Sequence, residues 1–259
     1  MATPMADAPW PEPSFLRPDW PAPAGVHAAF TIRLGGHSAG PWASFNLGAR
    51  VGDDGDAVAA NRAALVRALG LPSAPQWLHQ IHGTTLVAAA DDGVERAADA
   101  IWTRQRGLVC AVQSADCLPI LLCDREDTLV AAVHGGWRGL AAGILPLVLR
   151  DLGVPPDRLL AWLGPAICGR CYEVGGEVRA AFSTADDHLA SQFRPAGRPG
   201  HWLADLPGIA RCQLEAAGVP AAAIHGGDLC TLEDDRRFYS HRRDGITGRM
   251  AALIWLAAP

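Results

Sequence analysis

Three features of the sequence predict an α+β (mixed α/β) fold, a single domain in which mixed β-sheets are flanked by helices. Short, almost purely apolar runs occupy the middle of the chain, LVCAVQ (108–113), PILLCD (119–124) and TLVAAVH (128–134), as strands buried on both faces require. Helix-like and strand-like segments alternate, but irregularly, which favours a mixed sheet over a regular parallel one. Hydrophobic residues make up 49% of the 259 residues and their runs extend from residue 26 to 257, so one large core fits better than two small ones.

Taken in order, residues 1–24 are rich in proline and read as an extended arm, leaving 25–259 as one domain. VHAAFTIRLGG (26–36) reads as a strand ending in glycines. DDGDAVAANRAALVRALG (53–70) has acidic capping residues followed by helical periodicity, and should stop at Gly70. PQWLHQIHGTTLVAAA (75–90) has strand character; on a strand Gln80 and His82 share one face and His79 takes the other. After the three apolar runs, which should form the centre, GGWRGLAAGILPLVLRDLG (135–153) reads as a glycine turn into a helix, with a kink or break expected at Pro146. LLAWLG (159–164), AAIHGG (222–227) and MAALIWL (250–256) read as strands, and LPGIARCQLEAAG (206–218) as a helix.

Composition excludes several classes of function. All 22 basic residues are arginine, so the chain cannot form a lysine Schiff base or the lysine-containing phosphate loop of nucleotide triphosphatases. The net charge of −5, without basic clusters, argues against nucleic acid as a partner. Seven cysteines, an odd number partly within apolar runs, suit a reducing compartment. With neither a signal-peptide pattern nor a membrane-length apolar stretch, a cytoplasmic location off the membrane is expected.

Chemistry concentrates in Gln80-Ile81-His82-Gly83, Ala115-Asp116-Cys117 and His134-Gly135-Gly136-Trp137-Arg138-Gly139, each where a buried strand ends or a turn begins. If they converge, His82, Cys117 and His134 make a two-His, one-Cys site with an open fourth position, an arrangement in which zinc activates water or substrate. Their spacings of 35 and 17 residues form no short metal motif, and by spacing alone ordinary packing explains them as well.

These segments resemble, in order, the YfiH family of purine nucleoside phosphorylases, also called laccase-domain or polyphenol oxidase proteins. The likeness includes Thr31-Ile32-Arg33-Leu34-Gly35-Gly36, Phe45-Asn46-Leu47-Gly48, Val51-Gly52-Asp53-Asp54 and Asn61-Arg62. It continues through Gly164-Pro165-Ala166-Ile167, Cys171-Tyr172-Glu173-Val174 and Phe238-Tyr239-Ser240-His241-Arg242-Arg243 to Gly248-Arg249. Gly135 departs from it, since the family usually has alanine there. The resemblance implies a fold likened to the cytotoxic necrotizing factor deamidases, and zinc held by His82, Cys117 and His134. It also implies phosphorolysis of adenosine, inosine, guanosine and methylthioadenosine, with adenosine deamination as a further activity; the partners are then a nucleoside and phosphate. Arg33, Asn46, Arg50 and Gln80 are the candidates for holding substrate, because they lie on glycine-rich turns or beside a ligand. Asp116 either orients a ligand histidine or fixes its own turn.

Two other readings use the same atoms. A cysteine hydrolase would take Cys117 as nucleophile and His134 as base, but leaves His82 without a task. Copper oxidation lacks a His-x-His pair and has Met250 as its only methionine after the leader, so copper is expected to be adventitious. Gly36-His37-Ser38-Ala39-Gly40 matches the serine-hydrolase elbow without the strand-turn-helix context. Cys168-Gly169-Arg170-Cys171 has zinc-knuckle or redox spacing, yet no second pair at that spacing completes it, so a structural or weakly redox-active pair is expected.

Overall fold

The structure, a computed structural model, describes residues 15–183 and 187–258; residues 1–14 of the expected arm lie outside it. Strand β1 (Phe15–Leu16) pairs antiparallel with β2 (Val26–Thr31). Helix α1 (Gly55–Leu69) begins where the Asp54 side chain accepts from the Asp56 amide, 3.0 Å away. It ends at Gly70, whose φ of 58° is a left-handed conformation open to glycine at little cost. Strands β3 (Leu78–His79), β4 (Leu86–Ala88), β5 (Arg96–Ala97) and β6 (Ala100–Thr103) lead to the apolar runs. Those runs are β7 (Val109–Ser114), β8 (Leu118–Asp124) and β9 (Val130–Gly135). Then come α2 (Trp137–Ala141), α3 (Ile144–Leu152), β10 (Leu159–Leu163), β11 (Glu173–Gly175) and α4 (Gly176–Ser183). The chain finishes with β12 (Phe193–Pro195), β13 (His201–Ala204), α5 (Leu206–Ala216), β14 (Ile224–Gly226), α6 (His241–Asp244) and β15 (Met250–Leu256).

Two sheets carry the core. One runs β1-β2-β15-β7; the other, in the order β14-β10-β8-β9-β6-β4, is mixed, with β14 and β4 parallel to their neighbours and the rest antiparallel. Because alternate residues of a strand face opposite ways, the first sheet has two apolar faces. Phe30, Val112, Ala252 and Ile254 join Ile120, Leu122 and Ala131 of the second sheet in one core. Ala111, Ala251 and Leu253 instead pack on Phe45, Leu47 and Leu65, the last of these on α1. Helices α2, α3 and α5 contribute Leu140, Val148 and Ile209 to the larger core. Both sheets are thus covered on both faces, which is why the central strands read as continuous apolar runs rather than alternating ones. Among the described residues no helix is long and apolar enough to cross a membrane.

The fold departs from three sequence expectations. Residues 75–90 are not one strand: β3 stops at His79, β4 starts at Leu86, and His82 lies between them at φ 59°. The amides of Ile81, His82 and Gly83 donate to the Asp99 carboxylate instead of a neighbouring strand, so the strand-face argument for Gln80 and His82 fails. The helix after β9 breaks at Gly143, φ 81°, and not at Pro146. Pro146 falls in the first turn of α3, where an N–H would have no intrahelical acceptor. The strand from Val26 ends at Thr31, short of the glycines.

Candidate active site and metal centre

Strands β8 and β9 pair with Leu118 opposite Gly135 and Pro119 opposite His134, which brings Cys117, one residue before β8, alongside the end of β9. His82 arrives from the loop between β3 and β4. Cys117 Sγ lies 3.8 Å from His82 Nε2, and the two imidazoles meet edge to face with centroids 4.8 Å apart. One ligand atom from each of the three lies within 4.8 Å of the others, His82 exposed, Cys117 half-buried and His134 buried, so the cluster opens on one side. Gly136 closes it from behind: a Cβ there would sit 2.8 Å from His82 Cδ2 and 3.3 Å from Cys117 Sγ. A Cβ on Gly135, where the chain departs from the family pattern, would point at the Leu118 carbonyl and Ile120, away from the cluster.

Asp99, fully buried at the mouth of β6, holds the cluster together, and sequence reasoning missed it. Its Oδ1 accepts from the His82 amide at 2.9 Å and lies 2.8 Å from His134 Nδ1; its Oδ2 accepts from the Gly83 amide at 2.7 Å and the Ile81 amide at 3.2 Å. One carboxylate therefore fixes the loop carrying His82 and orients the His134 ring. A proton on His134 Nδ1 leaves Nε2 as the donor atom toward Cys117. Burial opposes ionisation of Asp99, but its hydrogen bonds with His134 and the Gly83 and His82 amides outweigh it and hold the carboxyl below its ordinary range. The available signal was a lone acid inside the apolar stretch AADAIW (97–102), since a buried carboxylate must be paired.

The same balance governs Cys117. Burial alone would raise its pKa, yet the adjacent His134 and His82 lower it; His134 is raised against its own burial by Cys117 and Asp99. A thiol that ionises readily and two oriented imidazoles are the donor set that a borderline-soft divalent ion takes. Around tetrahedral zinc a sulfur and a nitrogen ligand lie about 3.6 Å apart, close to the spacing of Cys117 and His82. The residues therefore fit a metal.

The cluster forms one side of a cavity of about 480 Å³. Its wall includes Arg50, Arg62, Arg138 and Arg249, with Glu95 as its only carboxylate among the described residues. Arg50 and Arg62 both pair with Glu95, at 3.1 and 3.2 Å, and Arg62 also stacks on Trp77. Arg138 lies over Trp137, and Arg249 Nη1 donates to the Thr247 and Gly248 carbonyls. His241 also lines the wall.

Of the predicted substrate residues, Arg50 and Gln80 line this cavity, while Arg33 and Asn46 do not. The Arg33 guanidinium donates to the Ala43 and Asp235 carbonyls. Asn46 is fully buried, and its amide binds Gly48, Asp53 and the Arg249 amide, so it shapes the turn beside Arg249. The Gln80 amide is occupied by both backbone groups of Gln113 at 2.7 and 2.8 Å, replacing a ladder pair on the edge of β7. Asp116 touches neither histidine. It accepts from Thr231 Oγ1 at 2.6 Å, Ser240 Oγ at 3.0 Å and the Arg242 amide at 2.7 Å, so of its two suggested roles it fills the turn-fixing one. Arg62, Arg138, Arg249 and His241 went unassigned in the sequence because nothing local marks residues that meet only through tertiary contacts.

Residues 27–257 match the family model described as multi-copper polyphenol oxidoreductase laccase. The chain is 52% identical to a purine nucleoside phosphorylase of Pseudomonas aeruginosa, covering 94% of this chain and 98% of that one. It is 47% identical to the purine nucleoside phosphorylase YfiH of Escherichia coli, covering 92% and 97%. Among solved structures it is similar to a Neisseria meningitidis protein, with a TM-score of 0.90, 46% identity, and 94% and 99% of the two chains covered. YlmD from Geobacillus stearothermophilus follows the same fold at a TM-score of 0.86 and 32% identity, covering 94% and 96%. Over nearly its whole length, then, this chain belongs to the laccase-domain family that contains the YfiH-type purine nucleoside phosphorylases.

Proposed function

We propose that the chain is a purine nucleoside phosphorylase, that it acts on adenosine, inosine, guanosine and methylthioadenosine, and that zinc is the metal held by His82, Cys117 and His134. One observation carries this reading: the metal cluster opens onto a cavity walled by four arginines against a single carboxylate. Such a wall favours a phosphate dianion beside an uncharged nucleoside, and guanidinium groups match phosphate oxygens in pairs. The names of the relatives support it. Zinc held by these three residues would supply Lewis acidity to the reaction.

The protein's own groups then have distinct tasks. Arg138 and Arg249 bind the phosphate nearest the metal cluster, while Arg50 and Arg62, braced through Glu95, close its outer side. Phosphate attacks the anomeric carbon, the glycosidic C–N bond breaks, and the purine leaves with the bonding pair and takes up a proton. His241 lines the cavity, and its Nδ1 lies 2.6 Å from the Gly245 carbonyl and so carries a proton, which leaves Nε2 to accept the proton of the attacking hydrogen phosphate and pass it to the departing purine. Adenosine deamination, with water as the attacking group, is proposed as a secondary activity of the same site.

Incubating inosine with phosphate should yield hypoxanthine and ribose 1-phosphate in proportion to bound zinc, and His82→Ala, Cys117→Ala and His134→Ala should each abolish it. A second reading draws on a specific observation: Cys117, His134 and Asp99 line up as nucleophile, base and orienting acid. Metal-free protein that hydrolyses amides and is killed by a thiol alkylator would establish that reading and sink the phosphorylase. Stoichiometric copper with phenol oxidation would do the same in favour of the family model's description.

A further inference from the structure

The knuckle-spaced Cys168 and Cys171 lack a second pair in the sequence, but the fold supplies two more ligands. An isolated parallel bridge joins Ala166 to Cys230; Thr231 N donates to the Ala166 carbonyl at 3.0 Å and Ala166 N to the Leu229 carbonyl at 3.2 Å. This pins the segment after β14 along residues 166–171. Cys168, Cys171, Cys230 and Glu233 each offer one ligand atom there, and these atoms all lie within 4.8 Å of one another. None of these cysteines is in a disulfide.

Details of the cluster suit a tetrahedral metal. Cys171 Sγ lies 3.4 Å from Glu233 Oε1, and on zinc those two atoms would be about 3.5 Å apart, given bonds of about 2.3 and 2.0 Å. The Cys168 amide donates to Cys230 Sγ at 3.3 Å, a bond that strengthens when the sulfur is a thiolate. Arg170, between the two knuckle cysteines, donates to both oxygens of Glu233 at 3.3 and 2.7 Å and offsets the negative charge that three thiolates and a carboxylate would gather.

We infer that Cys168, Cys171, Cys230 and Glu233 form a second zinc site, separate from the His82, Cys117 and His134 centre. With four protein ligands it is closed and therefore structural. The two segments it ties are the ones that grip Asp116: Ile167 N donates to the Asp116 carbonyl at 2.9 Å and Thr231 Oγ1 to its carboxylate. The second metal thus braces the turn that presents Cys117.

The test is zinc analysis of the purified full chain, of Cys168→Ser/Cys171→Ser and of His82→Ala/His134→Ala. Two zinc ions per chain are expected in the wild type and one in each double variant. Cobalt bound to His82→Ala/His134→Ala should show sulfur-to-cobalt charge-transfer absorption. Zinc-free His82→Ala/His134→Ala protein overturns the inference even if the cysteine variant fails to fold. So does a denatured, unreduced sample with two fewer titratable thiols than a reduced one, which would make the pair a disulfide. A single zinc lost only in Cys168→Ser/Cys171→Ser would support this site while removing zinc from the proposed catalytic centre.

Discussion

Asp99→Asn keeps the shape of the side chain that joins the His82 loop to His134 and removes only its charge and one acceptor. In the wild type each carboxylate oxygen serves two donors: Oδ1 the His82 amide and His134 Nδ1, Oδ2 the Ile81 and Gly83 amides. An asparagine has one oxygen: turned one way its NH₂ faces the Ile81 and Gly83 N–H donors, and turned the other way it faces the His82 N–H and forces the His134 proton onto the metal-facing Nε2, in a fully buried position. Two hydrogen bonds to a charged group are lost, at about 1.5–3 kcal/mol each, so the metal-free protein should lose about 3–6 kcal/mol of stability. The loop can recover part of this by moving away, and then His82 moves with it. Loss of a carboxylate that orients a metal-binding histidine lowers metal affinity by about 10–100-fold, or about 1.4–2.7 kcal/mol. Zinc titration of metal-free protein against a chromophoric chelator measures the affinity, and urea unfolding of the same sample measures the stability. A zinc affinity within about threefold of wild type, well short of the expected loss, together with an unshifted urea midpoint would refute the role assigned to Asp99.

Three further outcomes follow from particular contacts. Gly136→Ala adds a Cβ 2.8 Å from His82 Cδ2 and should weaken zinc binding by about tenfold or more with all three ligand residues unchanged; unaltered affinity in the chelator assay would contradict the close packing. In metal-free protein Cys117 should alkylate at a pH below that of an ordinary thiol, because His134 and His82 favour its thiolate, and His134→Ala should move the profile upward; peptide mapping after iodoacetamide treatment reads both. Buried Asp124 is held below its ordinary range by Thr128 and Arg158, which outweigh its burial, so its stabilisation is full above the unfolded carboxylate pKa of about 3.9 and is lost as pH falls through the lower folded value. Asp124→Asn should lower the urea midpoint at pH 7 and shrink its fall on acidification; an equally steep acid limb would count against this.

The sheet centre was legible because β7, β8 and β9 are covered on both faces, and burial leaves a continuous apolar run in the chain. Helix α1 was legible from its caps, which are local chemistry. By contrast β11, β12, β13 and α4 are short, with many exposed positions, and carry no run long enough for a period to emerge. Gln80 and His82 read as strand residues because PQWLHQIHGTTLVAAA has strand character; Asp99, distant in sequence, draws the Ile81, His82 and Gly83 amides off that path.

By itself the sequence determined the α+β class, the buried strands and, through ordered motifs, the family, and it singled out His82, Cys117 and His134 as candidate ligands. Those signals are local or recur in fixed order, so they survive without coordinates. Only the tertiary structure decided how these side chains are held, because Asp99 meets His134 from 35 residues away and Asp116 reaches Thr231 across 115. It also decided that Arg62, Arg138 and Arg249 share one wall with Arg50, and that Cys230 and Glu233 lie beside the Cys168 and Cys171 pair. Each of these depends on which strands lie side by side and in what register, and no residue's own neighbourhood in the chain records that.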